Sequence, residues 1–259
     1  MSINTIAICI VSYNREFNEV VPLDFIKDYE VANGNSLSIE VYDNSVDGWE
    51  FIPEYVEYYS HTGKNRSLSK IYNEFCMRHK SSAQYLLFLD HDTRLTYDYF
   101  NELLQCCSEG VSQILVPKID YNNKLVSPYF EISYKRFPYV SSLDKFLGRR
   151  LRAIGSGICI RNDVASRLPF DEKLNLYGID TKFFIDYLID NSRKNIFIMN
   201  STLEHDLSLS INNDNIVVLE NRVRKYLDDF EVIFGSSFYV KSYKFFLGVF
   251  YKLWFAIRR

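Results

Sequence analysis

The chain has 259 residues, of which 47% are hydrophobic, 24% charged and 16% aromatic, and its formal net charge is -3. That apolar content supports a sizeable core and excludes collagen-like, coiled-coil and disordered classes, while the near-neutral charge excludes the basic field on which nucleic-acid binding draws. The aromatic share, from 20 Tyr, 20 Phe and 2 Trp, is the unusual number. Five cysteines, odd in count and without C-x-x-C or zinc spacing, suit a reduced, cytoplasmic setting. The N-terminus has no positive n-region and no small-residue cleavage site, so no signal peptide is expected. No run of 18 apolar residues predicts a membrane span.

In chain order, Thr5–Val11 reads as a buried parallel strand that meets the polar loop Ser12-Tyr13-Asn14-Arg15. Ser38–Tyr42 ends at Asp43-Asn44-Ser45, Tyr55–Tyr59 runs toward His61-Thr62-Gly63, and Tyr85–Leu89 ends at Asp90-His91-Asp92. Leu68, Ile71, Tyr72 and Phe75 repeat at helical spacing, as do Phe100, Leu103, Leu104 and Cys107 within Tyr97–Cys107. Alternating strands and helices predict an α/β fold with a mostly parallel sheet and right-handed crossovers. Ligands of such sheets gather at the carboxyl ends of the strands, where these polar clusters fall. Further on come a strand at Ile114–Pro117, an unpatterned stretch over Asn122–Lys145, and Ala153–Ile160, apolar around Gly155-Ser156-Gly157. A helix over Asp180–Ile189, a strand at Ile196–Met199 and helices from Ile211 complete the reading.

The strongest chemical signal is Leu86-Leu87-Phe88-Leu89-Asp90-His91-Asp92-Thr93. In an extended segment residues i and i+2 share a side, so both carboxylates can face one hard cation and the diphosphate it carries, with His91 on the other side. Taken alone, two acids at a strand end also serve to cap the next helix.

Four segments in order, Ile10-Val11-Ser12-Tyr13-Asn14-Arg15, Tyr42-Asp43-Asn44-Ser45, the run Asn65 to Asn73, and Phe88-Leu89-Asp90-His91-Asp92, resemble the signature of family 2 glycosyltransferases with the GT-A fold, over about the first 210 residues. The strand resembles that of bacterial rhamnosyltransferase-like members. The resemblance implies a Rossmann-like, mostly parallel central sheet flanked by helices, in a catalytic domain over residues 1–210 followed by a C-terminal helical tail over 211–259. It implies that Ser12, Tyr13, Asn14, Asp43, Asn65, Asn73, Asp90, Gly155, Ser156 and Gly157 hold the nucleotide sugar, with Asp43 on the base. A carboxylate can accept the imide N–H of uracil or thymine, or a ribose hydroxyl. An Asx-turn would equally place an Asp there, and a tight strand crossing would equally explain Gly155-Ser156-Gly157. The run from Asn65 carries Ser67, Ser69 and Ile71 where the family has glycine and alanines.

Pro169-Phe170-Asp171-Glu172 to Gly178-Ile179-Asp180-Thr181 resembles the segment that ends in the family's catalytic base, which places that role on Asp180. A plain helix N-cap is the other reading of Asp180, and the two are compatible. Ile179 and Lys182 stand where acids are common. His205, in Glu204-His205-Asp206, resembles an element whose His joins Asp92 as a metal ligand, for Mn²⁺ or Mg²⁺. A structural His is the alternative.

The last segment, Val240–Arg259, sets Lys241, Lys244, Lys252 and Arg259 on one side of a helix and Phe246, Val249, Phe250, Leu253, Trp254 and Ile257 on the other. Such a helix suits the plane of an anionic membrane, at the inner face of the cytoplasmic membrane, or packing on the protein's own core or a second copy. The expected activity is inverting transfer of a sugar, first rhamnose from dTDP-rhamnose and otherwise a hexose from UDP, to a glycan or undecaprenyl-linked acceptor of surface polysaccharide such as O-antigen or capsule. A nucleotidyltransferase would want a Gly-rich phosphate loop after the first strand, and Ser12-Tyr13-Asn14-Arg15 has none. A non-catalytic sugar-nucleotide-binding protein is the third reading. Oligomeric state is not legible.

Overall fold

The computed structural model describes residues 6–33, 37–204 and 216–258. The elements are β1 (Ile6–Ser12), α1 (Val21–Asn33), β2 (Ser38–Asp43), β3 (Tyr58–His61), α2 (Leu68–Arg78), β4 (Tyr85–Asp90), α3 (Tyr97–Glu109), β5 (Ile114–Tyr121) and β6 (Lys124–Ser127). There follow β7 (Tyr129–Ile132), β8 (Lys135–Pro138), α4 (Asp144–Leu147), β9 (Leu151–Arg152), β10 (Cys159–Arg161), α5 (Asn162–Arg167), α6 (Ile179–Asp190), β11 (Ile196–Glu204), α7 (Ile216–Phe234) and α8 (Phe238–Arg258).

The central sheet runs β11-β5-β10-β4-β1-β2-β3, with β6 paired to β5. The path strands are parallel except β10, which is antiparallel to both β4 and β5. Both faces are covered, so β1 is buried throughout and its residues alternate between two cores. Ala7, Cys9 and Val11 pack with α2, α5 and α6, while Ile6, Ile8 and Ile10 pack with α1 and α3. The same alternation puts Leu86 and Phe88 in the first core and Tyr85, Leu87 and Leu89 in the second.

The α/β class and mostly parallel sheet are as the sequence predicts, with four differences. The third strand lies at Tyr58–His61, displaced from Tyr55–Tyr59 because its residues are only half-buried and carry no apolar run. The last strand continues past Met199 to Glu204, through an irregularity between Ile198 and Thr202. The unpatterned stretch after Asn122 holds β6, β7 and β8, and a small second sheet β8-β7-β9 stands off the main one. Its turn takes left-handed backbone at Ser133 and Tyr134, and β8 is exposed along its length, so no hydrophobic alternation marks it. All five cysteines are buried free thiols.

The C-terminal helices pack on this body. Ile233 of α7 is buried in the first core, and a side chain at Gly178, just before α6, would collide with it. Tyr134 at the tip of the β7–β8 hairpin sits among Phe230, Phe234, Tyr239 and Tyr243, with centroids 4.7 to 6.0 Å away. Lys244 Nζ meets Glu231 Oε1 at 3.1 Å across the α7–α8 pair.

One carboxylate is buried between β2 and the end of α2. Glu40, 2% exposed, accepts from Tyr42 Oη at 2.8 Å and Arg78 Nε at 3.0 Å, with His79 Nε2 at 3.0 Å. Burial alone would raise this carboxyl, but the bonds from His79, Tyr42 and Arg78 more than reverse it and hold it below the usual glutamate range. Its stabilising contribution is therefore complete above the ordinary value of 4.5 and is lost as pH falls through the lower native value. Glu40→Gln, which strands Arg78 and His79, is expected to cost about 3 kcal/mol at pH 7. Urea denaturation should show that difference closing as the pH drops below 4.5.

Candidate functional site

Three parallel strands deliver their last residues to one edge. Register pairs Ser12 with Asp43 and Val11 with Asp90. The bonds Asn44 N to Ser12 O (2.8 Å) and His91 N to Val11 O (3.1 Å) extend the zipper into the loops.

On the β1–β2 side, Asn14 takes left-handed backbone, φ 52°, and its N–H donates to Ser45 Oγ at 2.7 Å. Ser45 donates in turn to Asp43 Oδ1 from both N–H and Oγ, and Tyr59 Oη donates to Asp43 Oδ2 at 2.7 Å. Trp49 closes the group, its N–H on Tyr59 Oη and its indole on Arg15 O, each 2.7 Å. Asp43, assigned to the nucleotide base from the sequence, is thus 2% exposed and held by the wall of its own loop. Tyr13 is exposed and Ser12 is fully buried. Asn44 joins this loop to the next element, donating to Asn65 Oδ1 and Arg66 O and accepting from Arg66 N. Asn44, Ser45, Trp49 and Tyr59 were not singled out from the sequence. Asn44-Ser45 directly after Asp43 was the available signal.

The second group is built around Asp90. The sequence reading treats Asp90-His91-Asp92 as extended. The strand instead ends at Asp90, and Thr93 N returns to Asp90 O at 3.2 Å, closing a turn, so strand alternation does not govern where Asp92 and His91 lie. The turn is pinned from below by Ser156, whose Oγ accepts from Asp90 N at 3.0 Å and bonds Thr93 Oγ1. Gly157 N donates to Phe88 O at 2.8 Å, and Phe88 N to Ile158 O at 3.1 Å. Gly157 requires its glycine twice over: φ is +81°, and a Cβ would lie 2.6 Å from Leu203 Cδ1.

Asp180 occupies the first turn of α6, after Gly178 at φ +77°. Its Oδ1 accepts from Thr181 N at 2.7 Å, and backbone N–H groups of Gly155 and of Asp180 itself lie close enough to favour its charged form. Asp180 keeps part of its surface open yet is crowded on every side. Burial raises its carboxyl above the ordinary value of 3.8, opposed by the Arg136 guanidinium and by these N–H groups. Arg136 of β8 also lies over the Tyr129 ring, 4.6 Å from its centroid, and Tyr129 Oη is 3.2 Å from Thr181 Oγ1. Tyr72 of α2 stands near both acids: burial lifts its hydroxyl well above its ordinary value, and the Asp90 and Asp180 charges add to the rise. With Phe88, Gly155, Phe170 and Asp180 it lines a cavity of about 20 Å³. Its helical spacing marked Tyr72 only as a core position. A larger cavity, about 380 Å³, lies away from these acids, walled by Glu131, Tyr134, Arg150, Arg152 and Tyr239.

Asn73 does not join this group through a free amide. It brackets the 170–172 segment, donating to Phe170 O (3.0 Å) and Glu172 Oε1 (3.1 Å) and accepting from Phe170 N (2.9 Å). Ser67 and Ser69, where small residues were noted, both donate to Leu174 O. The start of α2 therefore fixes the chain that leads into α6 and Asp180.

His205 lies outside the described residues. Glu204, just before it, accepts at its carbonyl from Arg94 N at 3.3 Å, two residues beyond Asp92. Among the described residues no three His, Cys, Asp or Glu side chains form a group that could hold a metal ion. The donor set present, carboxylates of Asp90 and Asp92 on one turn, fits a hard cation completed by diphosphate oxygens and water.

No protein-family model matches the chain, and no curated protein matches it. Among solved structures it is similar to S. aureus TarS (TM-score 0.52, 14% identity), over 88% of this chain and 40% of that one. It is similar to GalNAc-T7 with UDP, GalNAc and Mn²⁺ (0.58, 16%), over 87% and 48%. It is similar also to mannosyl-3-phosphoglycerate synthase from Rubrobacter xylanophilus (0.56, 12%), over 90% and 76%. The chain spans less than half the length of the first two. These likenesses establish a GT-A glycosyltransferase fold.

A carboxyl raised in the folded state binds its proton more tightly there than in the unfolded chain. The charged form then costs stability as pH rises from the ordinary 3.8 through the native value. Asp180→Asn removes that slope. The variant should gain stability relative to the parent as the pH rises above 3.8, read from urea midpoints across a pH series; a pH-independent difference would refute the assignment.

Proposed function

We propose that the protein is a glycosyltransferase that moves a sugar from a nucleoside diphosphate to a hydroxyl acceptor. The observation that carries this reading is the Gly155–Ile158 turn, which bonds to the Asp90 turn through Ser156 and packs against Asp180 at Gly155, where an added Cβ would lie 3.8 Å from Asp180 Cβ. One short segment thus touches both a turn of carboxylates suited to a cation carrying a diphosphate and a carboxylate suited to a proton.

In this reading the nucleotide rests on the loop from Ser12 to Asn14, shaped by Asp43, Ser45 and Asn65, and Asn73 acts as a positioning residue through the 170–172 segment. Similar structures of S. aureus TarS are complexes with UDP and with UDP-GlcNAc, which supports a uridine nucleotide beside the dTDP-rhamnose suggested by the strand motif. Gly155, where an added Cβ would meet only Asp180 at 3.8 Å, leaves space for the sugar, while Gly157 serves the tight crossing against Leu203 and Pro117. Asp90 and Asp92, with His205 as the further candidate, would hold Mn²⁺ or Mg²⁺, which supplies charge stabilisation to the departing diphosphate.

Asp180 takes the proton of the attacking hydroxyl. Burial increases its basicity, while Arg136 and the first turn of α6 keep the ionised form accessible. Attack from that side, with the diphosphate leaving on the other, inverts the anomeric centre. A glycan or lipid-linked intermediate of surface polysaccharide is the acceptor in keeping with this class.

Thermal-shift titration against dTDP- and UDP-sugars with Mn²⁺ or Mg²⁺ should single out one donor. Asp180→Asn is expected to keep that shift and lower the rate of transfer by about 10²- to 10⁴-fold. Asp92→Asn should abolish the metal-dependent part of the shift. Failure of every nucleotide sugar to stabilise the protein would refute the reading.

A further inference from the structure

The aromatic surplus noted in the sequence is concentrated at one end: 9 of the 42 aromatic residues fall between Phe238 and Phe255. The structure divides α8 into two faces. Val240 and Phe255 are buried against the body, and Lys244 is paired with Glu231. On the other face Phe246 is 69% exposed, Phe250 58%, Leu253 60% and Ile257 85%, with Phe238, Phe245 and Val249 beside them. At 3.6 residues per turn these side chains cover about 140° of the circumference, along a helix about 30 Å long. Lys241 and Lys252, both exposed, project along one border of that stripe.

We infer that this face of α8 docks the protein on an anionic lipid bilayer, the helix lying in the plane of the surface. Charge decides the occupant. No acidic residue follows Glu231, and the last 28 residues carry five basic groups, whereas the preceding 231 carry 25 basic against 33 acidic. A second copy laying its own stripe antiparallel on this one would bring lysine border against lysine border. An anionic surface accepts the apolar side chains and neutralises the border together. The opposite face is committed to Glu231 and the core, and no described helix is long and apolar enough to cross a membrane. The docking surface stands apart from the candidate site and holds whether or not the transferase reading does.

The test is co-sedimentation of the full-length protein with vesicles of phosphatidylglycerol and phosphatidylcholine, and of phosphatidylcholine alone, at about 0.1 M salt. Binding is expected on the anionic vesicles only. Both Lys241→Glu with Lys252→Glu and Phe246→Ser with Leu253→Ser should weaken it at least about tenfold, with unchanged circular dichroism. Absent binding to anionic vesicles, or binding that folded variants of both kinds leave intact, overturns the inference. Light scattering adds an independent outcome: a dimer that Phe246→Ser with Leu253→Ser converts to monomer would assign the stripe to a second copy and overturn the lipid surface.

Discussion

The geometry of the candidate site depends on how the chain crosses beneath β4 between Gly155 and Ile158. A buried backbone must find hydrogen-bond partners, and here it finds them on β4. Gly157 N and Ile158 O take Phe88, Ser156 Oγ takes Asp90 N, and Gly155 packs beside Asp180, an added Cβ there lying 3.8 Å from Asp180 Cβ. Gly157 has Leu203 and Pro117 against the space where a Cβ would stand, so β11 and β5 close the crossing from the far side. Insertion of β10 antiparallel between β4 and β5 brings the turn there at all. The two carboxylate groups consequently meet at one backbone segment, which bonds the Asp90 turn and packs beside Asp180.

A second dependence runs from the C-terminal helices to Asp180. Ile233 of α7 fills the space above Gly178, the residue that turns the chain into α6. The α7 side chain Tyr226 senses Arg136 and Asp180 electrostatically, and burial dominates the rise of its hydroxyl. The aromatic cluster around Tyr134 anchors the β7–β8 hairpin that carries Arg136. The terminal helices thus brace the elements around the proposed base, although sequence alone presents them as a tail.

What the sequence made legible follows from how each feature is encoded. β1, β2 and β4 are buried on both faces, so their apolar runs stand out and their polar ends mark the edge where Ser12, Asp43 and Asp90 meet. β8 is exposed throughout and β9 has two residues, so neither leaves a pattern. The turn at Asp90–Thr93 was read as extended because its closure depends on Ser156, 66 residues away. Asn73 shows the same limit. Its place in a motif indicated importance, but only the fold shows its amide spent on Phe170 and Glu172.

The electrostatics of Asp180 illustrate why the fold matters more to this residue than its identity does. A carboxylate on an exposed helix N-terminus would be a weak base, since the N–H groups and helix field favour its charged form. Packing by Tyr72, Phe88, Phe170 and Phe183 works in the opposite sense, and burial is the larger effect. Arg136 then limits the rise without forming a close ion pair that would occupy the oxygens. The carboxyl is thereby left more basic than an exposed aspartate. That balance requires the aromatic side chains of the first core, the hairpin carrying Arg136 and the glycine turn together, which are encoded in segments far apart along the chain.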